Sequence, residues 1–128
     1  MPFLLDTHVL LWAAQGSPQL SGSVRALLLD PNEDVAFSVA SIWEVVIKSG
    51  LGRHDFVVAA SRLREAAIRA GLGEIPVRSP HVLGVAALPP RHRDPFDRLL
   101  LAQAQVEGRQ LLTADADVLA YGAPAVQA

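Results

Sequence analysis

The side chains best able to do chemistry in this sequence are acids. Asp6, Glu44, Asp97 and Asp115 lie far apart along the chain, yet each follows an apolar strand-like run or opens a helical pattern, and Asp94 stands three residues before Asp97. Hard divalent cations take oxygen ligands, and two such ions roughly 4 Å apart can activate water and stabilise the leaving oxygen in phosphodiester hydrolysis. Carboxylates drawn from several segments to one place are the donor set this chemistry requires. No cysteine is present, which removes disulfides, zinc-thiolate clusters and cysteine nucleophiles. His8, His54, His81 and His92 share no metal-ligand spacing, and metal-activated water needs no histidine base, so they are assigned no role.

The acids converge only if the elements that carry them do. Phe3-Leu4-Leu5, ending in Asp6-Thr7, reads as a buried strand and its exit. A helix over 8–15 stops at Gly16-Ser17-Pro18, and a second over 21–30 closes at Pro31-Asn32-Glu33-Asp34. Residues 35–38 are strand-like, and 40–49 are helical with Ile42, Val45 and Val46 on one side. Gly50-Leu51-Gly52 is read as that helix's stop and not as a phosphate loop, because it follows a helix and not a strand. Another helix is expected over 56–70, then an edge strand over 74–77, where Pro76 removes one ladder donor. A brief helix follows over 79–88. Asp94 as N-cap, Pro95 at the first helical position and Gly108 as stop define a helix over 94–107. Residues 111–113 form the last clear strand, and a short helix runs from Asp115 through Tyr121. Strands alternating with helices predict right-handed crossovers and an α/β three-layer α/β/α domain with a mostly parallel central sheet, spanning 1–128 as one unit. Ligands of such sheets bind outside the carboxyl ends of the strands, which is the edge where all four acids should lie.

Each acid also has a structural reading. Asp6 and Asp94 are well placed as N-caps, and for Asp94 capping comes first and metal contact second. Glu44 has capping-box spacing from Ser41 and ion-pair spacing to Lys48; it is released for the pocket if Ser38 is the true cap. Asp97 could serve the helix dipole. Asp115 and Asp117 are two residues apart, and periodicity does not choose between them.

The segment Asp94-Pro95-Phe96-Asp97-Arg98 with Ala102-Gln103-Ala104 resembles the D-P-F-D-R-x-x-x-A-Q-A stretch of PIN-domain toxins of the VapC type. Leu4-Leu5-Asp6-Thr7-His8 resembles that family's opening strand, Ser41-Ile42-Trp43-Glu44 with Lys48 its S-x-W-E-x-x-x-K helix, and Leu112-Thr113-Ala114-Asp115 its late L-x-T-x-D element. These blocks follow the family order over nearly the whole chain. The resemblance implies a Mg²⁺- or Mn²⁺-dependent endoribonuclease, restrained by a cognate antitoxin and often dimeric. It makes Asp6, Glu44, Asp97 and Asp115 the acidic site, Asp94 an extra ligand, and Thr113 and Thr7 the hydroxyls beside the acids. The sequence departs from the family at 122–126, a poor version of the final strand.

The net charge of −2 is unusual for a nucleic-acid binder, but metal binding would neutralise the acidic pocket and leave the ten arginines to face phosphates. Arg91, Arg93 and Arg98 flank the acids and are the candidates. Trp12 and Trp43 lie in apolar helical patterns, and packing in a core or interface is read ahead of base stacking. A mean hydropathy of +0.29 is high for a small domain and predicts apolar surface covered by a homodimer partner or a protein inhibitor. The N-terminus lacks a signal-peptide pattern and no run reaches membrane-spanning length, so a cytoplasmic protein is expected. A receiver-like module would place adjacent acids near the first strand and a lysine late in the chain. Here Asp6 has no acidic neighbour and Lys48 is the only lysine. Two further readings are a catalytically silent binding module of the same fold and a housekeeping RNA-processing nuclease without an antitoxin.

Overall fold

The computed structural model describes residues 2–91 and 94–128, apart from the side chain of Asp55. Five short strands form one sheet in the order β3-β2-β1-β4-β5: β1 (Pro2–Leu5), β2 (Asp34–Ser38), β3 (Gly73–Ile75), β4 (Gln110–Thr113) and β5 (Ala125–Gln127). Every pairing is parallel, with Leu4 in register with Ala36 on one side and Leu111 on the other. The chain builds from β1 outward to β2 and β3, then returns to add β4 on the opposite side of β1. That reversal makes the carboxyl ends of β1 and β4 the topological switch point, where a crevice opens in sheets of this kind.

Strand side chains alternate between two apolar cores, as a period of two requires. Phe3, Leu5, Val35, Phe37 and Leu112 enter one core with Val9, Leu10, Val45, Phe56 and Leu63. Leu4, Ala36, Ile75 and Leu111 enter the other with Leu100, Leu101, Ala104 and Val118. The first layer is built by α1 (Thr7–Gln15), α2 (Gly22–Leu29), α3 (Val39–Gly50) and α4 (Ala60–Arg69), and the second by α5 (Ser79–Val85), α6 (Pro95–Glu107) and α7 (Ala116–Leu119). This is the three-layer α/β/α arrangement the alternation predicts. No helix among the described residues is long and apolar enough to cross a membrane.

Local signals account for most boundaries. Gly16 and Gly108 end α1 and α6 with φ of 60° and 65°, a left-handed conformation that costs glycine little. Two expectations are corrected. The helix expected over 56–70 is divided: His54–Phe56 forms a 3₁₀ turn and α4 begins only at Ala60. Phe56 is fully buried, so the chain dips into the core before the helix starts, and the β-branched pair Val57-Val58 is a poor first turn. The helix expected to reach Leu88 ends at Val85, with turns beyond it. The doubtful tail forms a true last strand, β5, because Leu111, Leu112 and Thr113 of β4 offer it a free edge.

Candidate active site

Asp6 leaves β1 at the switch point and caps α1. Its Oδ1 accepts the His8 backbone N–H at 3.3 Å, and its Oδ2 accepts the Thr113 hydroxyl from the end of β4. Both readings of Asp6 therefore hold at once: it is a cap, and it is a carboxylate 4% exposed at the junction of two strands. Burial raises its pKa, and the nearby charge of Glu44 adds to the rise. The Thr113 and His8 hydrogen bonds and the charge of His8 oppose it without cancelling it.

Glu44 reaches the same edge because Ser38, not Ser41, caps α3: the Ala40 N–H donates to Ser38 Oγ at 2.9 Å. Freed from capping, Glu44 is buried, and its Oε1 lies 2.6 Å from Thr7 Oγ1. Thr7 Oγ1 is also 2.9 Å from Ser41 Oγ. A hydroxyl carries one proton, and here the carboxylate takes it, so Ser41 donates to Thr7 in turn. Lys48, one turn along α3, contacts Glu44 Oε2 at 2.5 Å and Asp94 Oδ2 at 3.4 Å. Its ammonium also lies 5.1 Å from the Phe56 ring centroid and 5.8 Å from that of Phe96. Burial works against the Lys48 charge, but Glu44 and Asp94 outweigh it and raise the pKa.

Asp94 spends its other oxygen on capping, with Oδ1 accepting from the N–H groups of Phe96 and Asp97. Asp97, in the first turn of α6, is buried beside this cap. Asp115 is exposed; its Oδ1 caps α7 through the Asp117 N–H, while its own N–H donates to Thr113 Oγ1 at 3.1 Å. Of the pair Asp115 and Asp117, Asp115 is thus the one tied to Thr113 and through it to Asp6. Arg91 is exposed, and Arg93 lies outside the described residues. Arg98 turns inward: its guanidinium donates to the carbonyls of Val85, Leu88 and Pro89 and to the Tyr121 hydroxyl.

Two contributors were not read from the sequence as parts of the site. The sequence offers Lys48 as an ion-pair partner and as the last residue of the S-x-W-E-x-x-x-K element but gives it no role in the site, although a sole lysine four residues after Glu44 is a usable signal. Gln103 joins the elements from below: Ser38 Oγ donates to its Oε1, while its amide nitrogen lies 3.3 Å from the Pro76 carbonyl.

The donors gathered here are carboxylate and hydroxyl oxygens, which suit Mg²⁺ or Mn²⁺ and not a soft metal. Among the described residues no three His, Cys, Asp or Glu side chains form a ready cage for a metal. Mg²⁺ keeps several waters and commonly takes one or two carboxylates, so the donor set fits such an ion without a closed cage.

A doubly wound parallel sheet with buried acids at its switch point defines a class of α/β domains. The PIN domain family model matches residues 3–123, and the chain belongs to that family. No curated protein matches the sequence. Among solved structures, the chain resembles one from the crystal structure of VapBC2 from Rickettsia felis bound to a promoter DNA fragment (TM-score 0.72, 16% identity, 100% of this chain and 98% of that one). It also resembles chains from a toxin-antitoxin complex from Klebsiella pneumoniae (TM-score 0.68, 21% identity, 98% and 96% covered) and from FitAcB of Neisseria gonorrhoeae (TM-score 0.67, 22% identity, 98% and 96% covered). These likenesses establish a shared fold.

Proposed function

We propose that this chain is a divalent-metal-dependent endoribonuclease that acts in the cytoplasm as the toxin of a toxin-antitoxin pair. The observation that carries the proposal is the buried Asp6 at the β1–β4 switch point, held by Thr113 beside a second buried acid, Glu44. Lys48 offsets the charge of Glu44, whereas burial still raises the pKa of Asp6, and a bound cation would compensate that buried charge. PIN domains are generally nucleases, which fits that reading.

Asp6, Glu44, Asp97 and Asp115 would hold Mg²⁺ or Mn²⁺, with Asp94 secondary because its first task is to cap α6 through the N–H groups of Phe96 and Asp97. When bound, the ion supplies Lewis acidity toward phosphodiester oxygens and promotes attack by water, leaving a 5′-phosphate and a 3′-hydroxyl. The protein's own contribution is orientation. Thr113 fixes the Asp6 carboxylate, Thr7 and Lys48 fix the two oxygens of Glu44, and Arg91 and Arg93, which flank the acids in sequence, are the candidates to hold RNA phosphates. The toxin reading draws on the complexes named above and on two apolar surfaces. A groove of about 470 Å³ between α1, α2 and α4, lined by Leu10, Leu20, Leu28, Leu29 and Leu72, suits an antitoxin segment. Val39, Trp43, Val46 and Ile47 form an exposed stripe along α3 that suits a second copy of the chain.

Induced expression in a bacterial host tests the proposal. The expected result is growth arrest with new RNA ends that ligate to adapters through 5′-phosphates, neither of which occurs with Asp6→Asn. Arrest without such ends, or the same ends with Asp6→Asn, would sink it.

A further inference from the structure

A second concave surface adjoins the acids. It has a volume of about 460 Å³ and is lined by His8, Trp12, Gln15, Gln19 and His54, with Val57 at its rim. His8, Trp12 and Gln15 recur at helical spacing along one face of α1, so the first layer presents them together. The surface meets the candidate active site at His8. His8 follows Asp6 by two residues, its backbone N–H bonds the Asp6 carboxylate at 3.3 Å, and its imidazole is near enough to lower the Asp6 pKa. The His8 ring lies 6.2 Å from Trp12 and, edge-on, 5.2 Å from Phe56, whose ring also neighbours the Lys48 ammonium and the Arg53 guanidinium. An unbroken series of contacts thus runs from Trp12 through His8 and Phe56 to Lys48 and Glu44.

The chemistry of this groove differs from that of the apolar groove between α1, α2 and α4. It has an indole and two imidazoles as flat faces, and the amides of Gln15 and Gln19 as paired donors and acceptors. Among the described residues no carboxylate lines it. Flat π-faces for stacking, with polar groups to read an edge and no negative charge, are what an unpaired nucleobase of single-stranded RNA requires.

We infer that the groove beside His8 and Trp12 is a nucleobase subsite, which seats one base of the RNA strand next to the scissile phosphate and sets sequence preference. The inference rests on the ribonuclease reading. Trp12 stacks on the base, His8 borders it toward the acids, and Gln15 and Gln19 read its edge.

The test is a double-mutant cycle between protein and RNA. A short RNA cleaved by the wild-type protein is made abasic at one position at a time around the cut, and each is assayed with wild type, Trp12→Ala and Trp12→Phe. Loss of one stacked base is worth roughly five- to 150-fold. At one position, removal of the base and Trp12→Ala should each raise KM by such a factor, with kcat little changed. Combined, they should cost no more than either alone, and Trp12→Phe should restore most of the loss. Gln15→Ala and Gln19→Ala, at exposed positions, should shift base preference at that same position without moving Tm, which keeps the test informative if Trp12→Ala folds poorly. Independent effects at every position, or unchanged preference in the glutamine variants, would overturn the inference while leaving the nuclease standing. If the wild type cleaves nothing, the same cycle is read by fluorescence anisotropy of labelled RNA. Coupling there supports the subsite although the nuclease reading has failed, and its absence removes the subsite too.

Discussion

Lys48→Met isolates the electrostatics of the acidic edge. The ammonium sits between Glu44 and Asp94 at 2.5 and 3.4 Å, and the Glu44 side chain is 3% exposed. Removing the cation strands a buried carboxylate, for which the cost is about 3–5 kcal/mol; partial exposure of Lys48 favours the lower end, about 3 kcal/mol. In a domain of this length each kcal/mol moves Tm by roughly 3–5 °C, so metal-free Lys48→Met should melt about 10 °C below wild type at pH 7.5. The raised pKa of Lys48 means that its contribution is complete below the unfolded lysine value of 10.5 and is lost only as pH rises through the higher folded value, so the deficit should be constant across pH 6–9. The assay is differential scanning fluorimetry in EDTA across that range. Equal Tm values at pH 7.5, or a deficit that disappears by pH 9, would rule this out.

Asp6→Asn should raise the neutral-pH Tm of the metal-free protein while abolishing cleavage. Burial and the Glu44 charge raise the Asp6 pKa, so its favourable contribution is complete below 3.8 and is lost as pH rises through the folded value. The gain in Tm should therefore vanish toward pH 4, and a variant less stable than wild type at pH 7 would contradict it. Asp115→Ala should reduce cleavage at least tenfold, whereas Asp117→Ala should leave it within about twofold: the Asp115 backbone N–H, which the variant keeps, anchors position 115 and not 117 to Thr113, and the substitution removes the carboxylate carried there; equal losses would reject that assignment. Arg98→Ala should cost about 2–3 kcal/mol of stability in urea denaturation, through lost charge-assisted bonds to backbone carbonyls. Its affinity for RNA should be unchanged, and a tenfold loss of affinity with unaltered stability would return Arg98 to the phosphate contacts.

The fold was legible because its signals are local. Phe3-Leu4-Leu5 reads as a strand buried on both faces, and Asp94-Pro95 with Gly108 brackets α6. The approach of Asp6 and Glu44 at the carboxyl end of β1 followed from the parallel topology. The division before α4 was hidden because Phe56 fits a helical apolar stripe as well as a solitary core anchor, and only the tertiary core distinguishes them. The last strand was hidden for a related reason: Ala125-Val126-Gln127 has little intrinsic strand character, and the open edge of β4 supplies the pairing. Within the candidate site, Ser38 as the cap of α3 was one of two readings, and the choice turned on geometry. The inward turn of Arg98 depends on carbonyls at 85, 88 and 89 and a hydroxyl at 121, contacts that spacing along the chain does not encode.

The most direct measurement is cleavage of end-labelled RNA by the purified protein with Mg²⁺ or Mn²⁺, with EDTA, and with Asp97→Asn in place of the wild type. Asp97 is buried beside the Asp94 cap, and asparagine keeps its shape while removing its charge. The account predicts cleavage by the wild type that needs the ion, and at least a hundredfold less by Asp97→Asn. Cleavage that persists in EDTA, or an Asp97→Asn variant as active as the wild type, would contradict it.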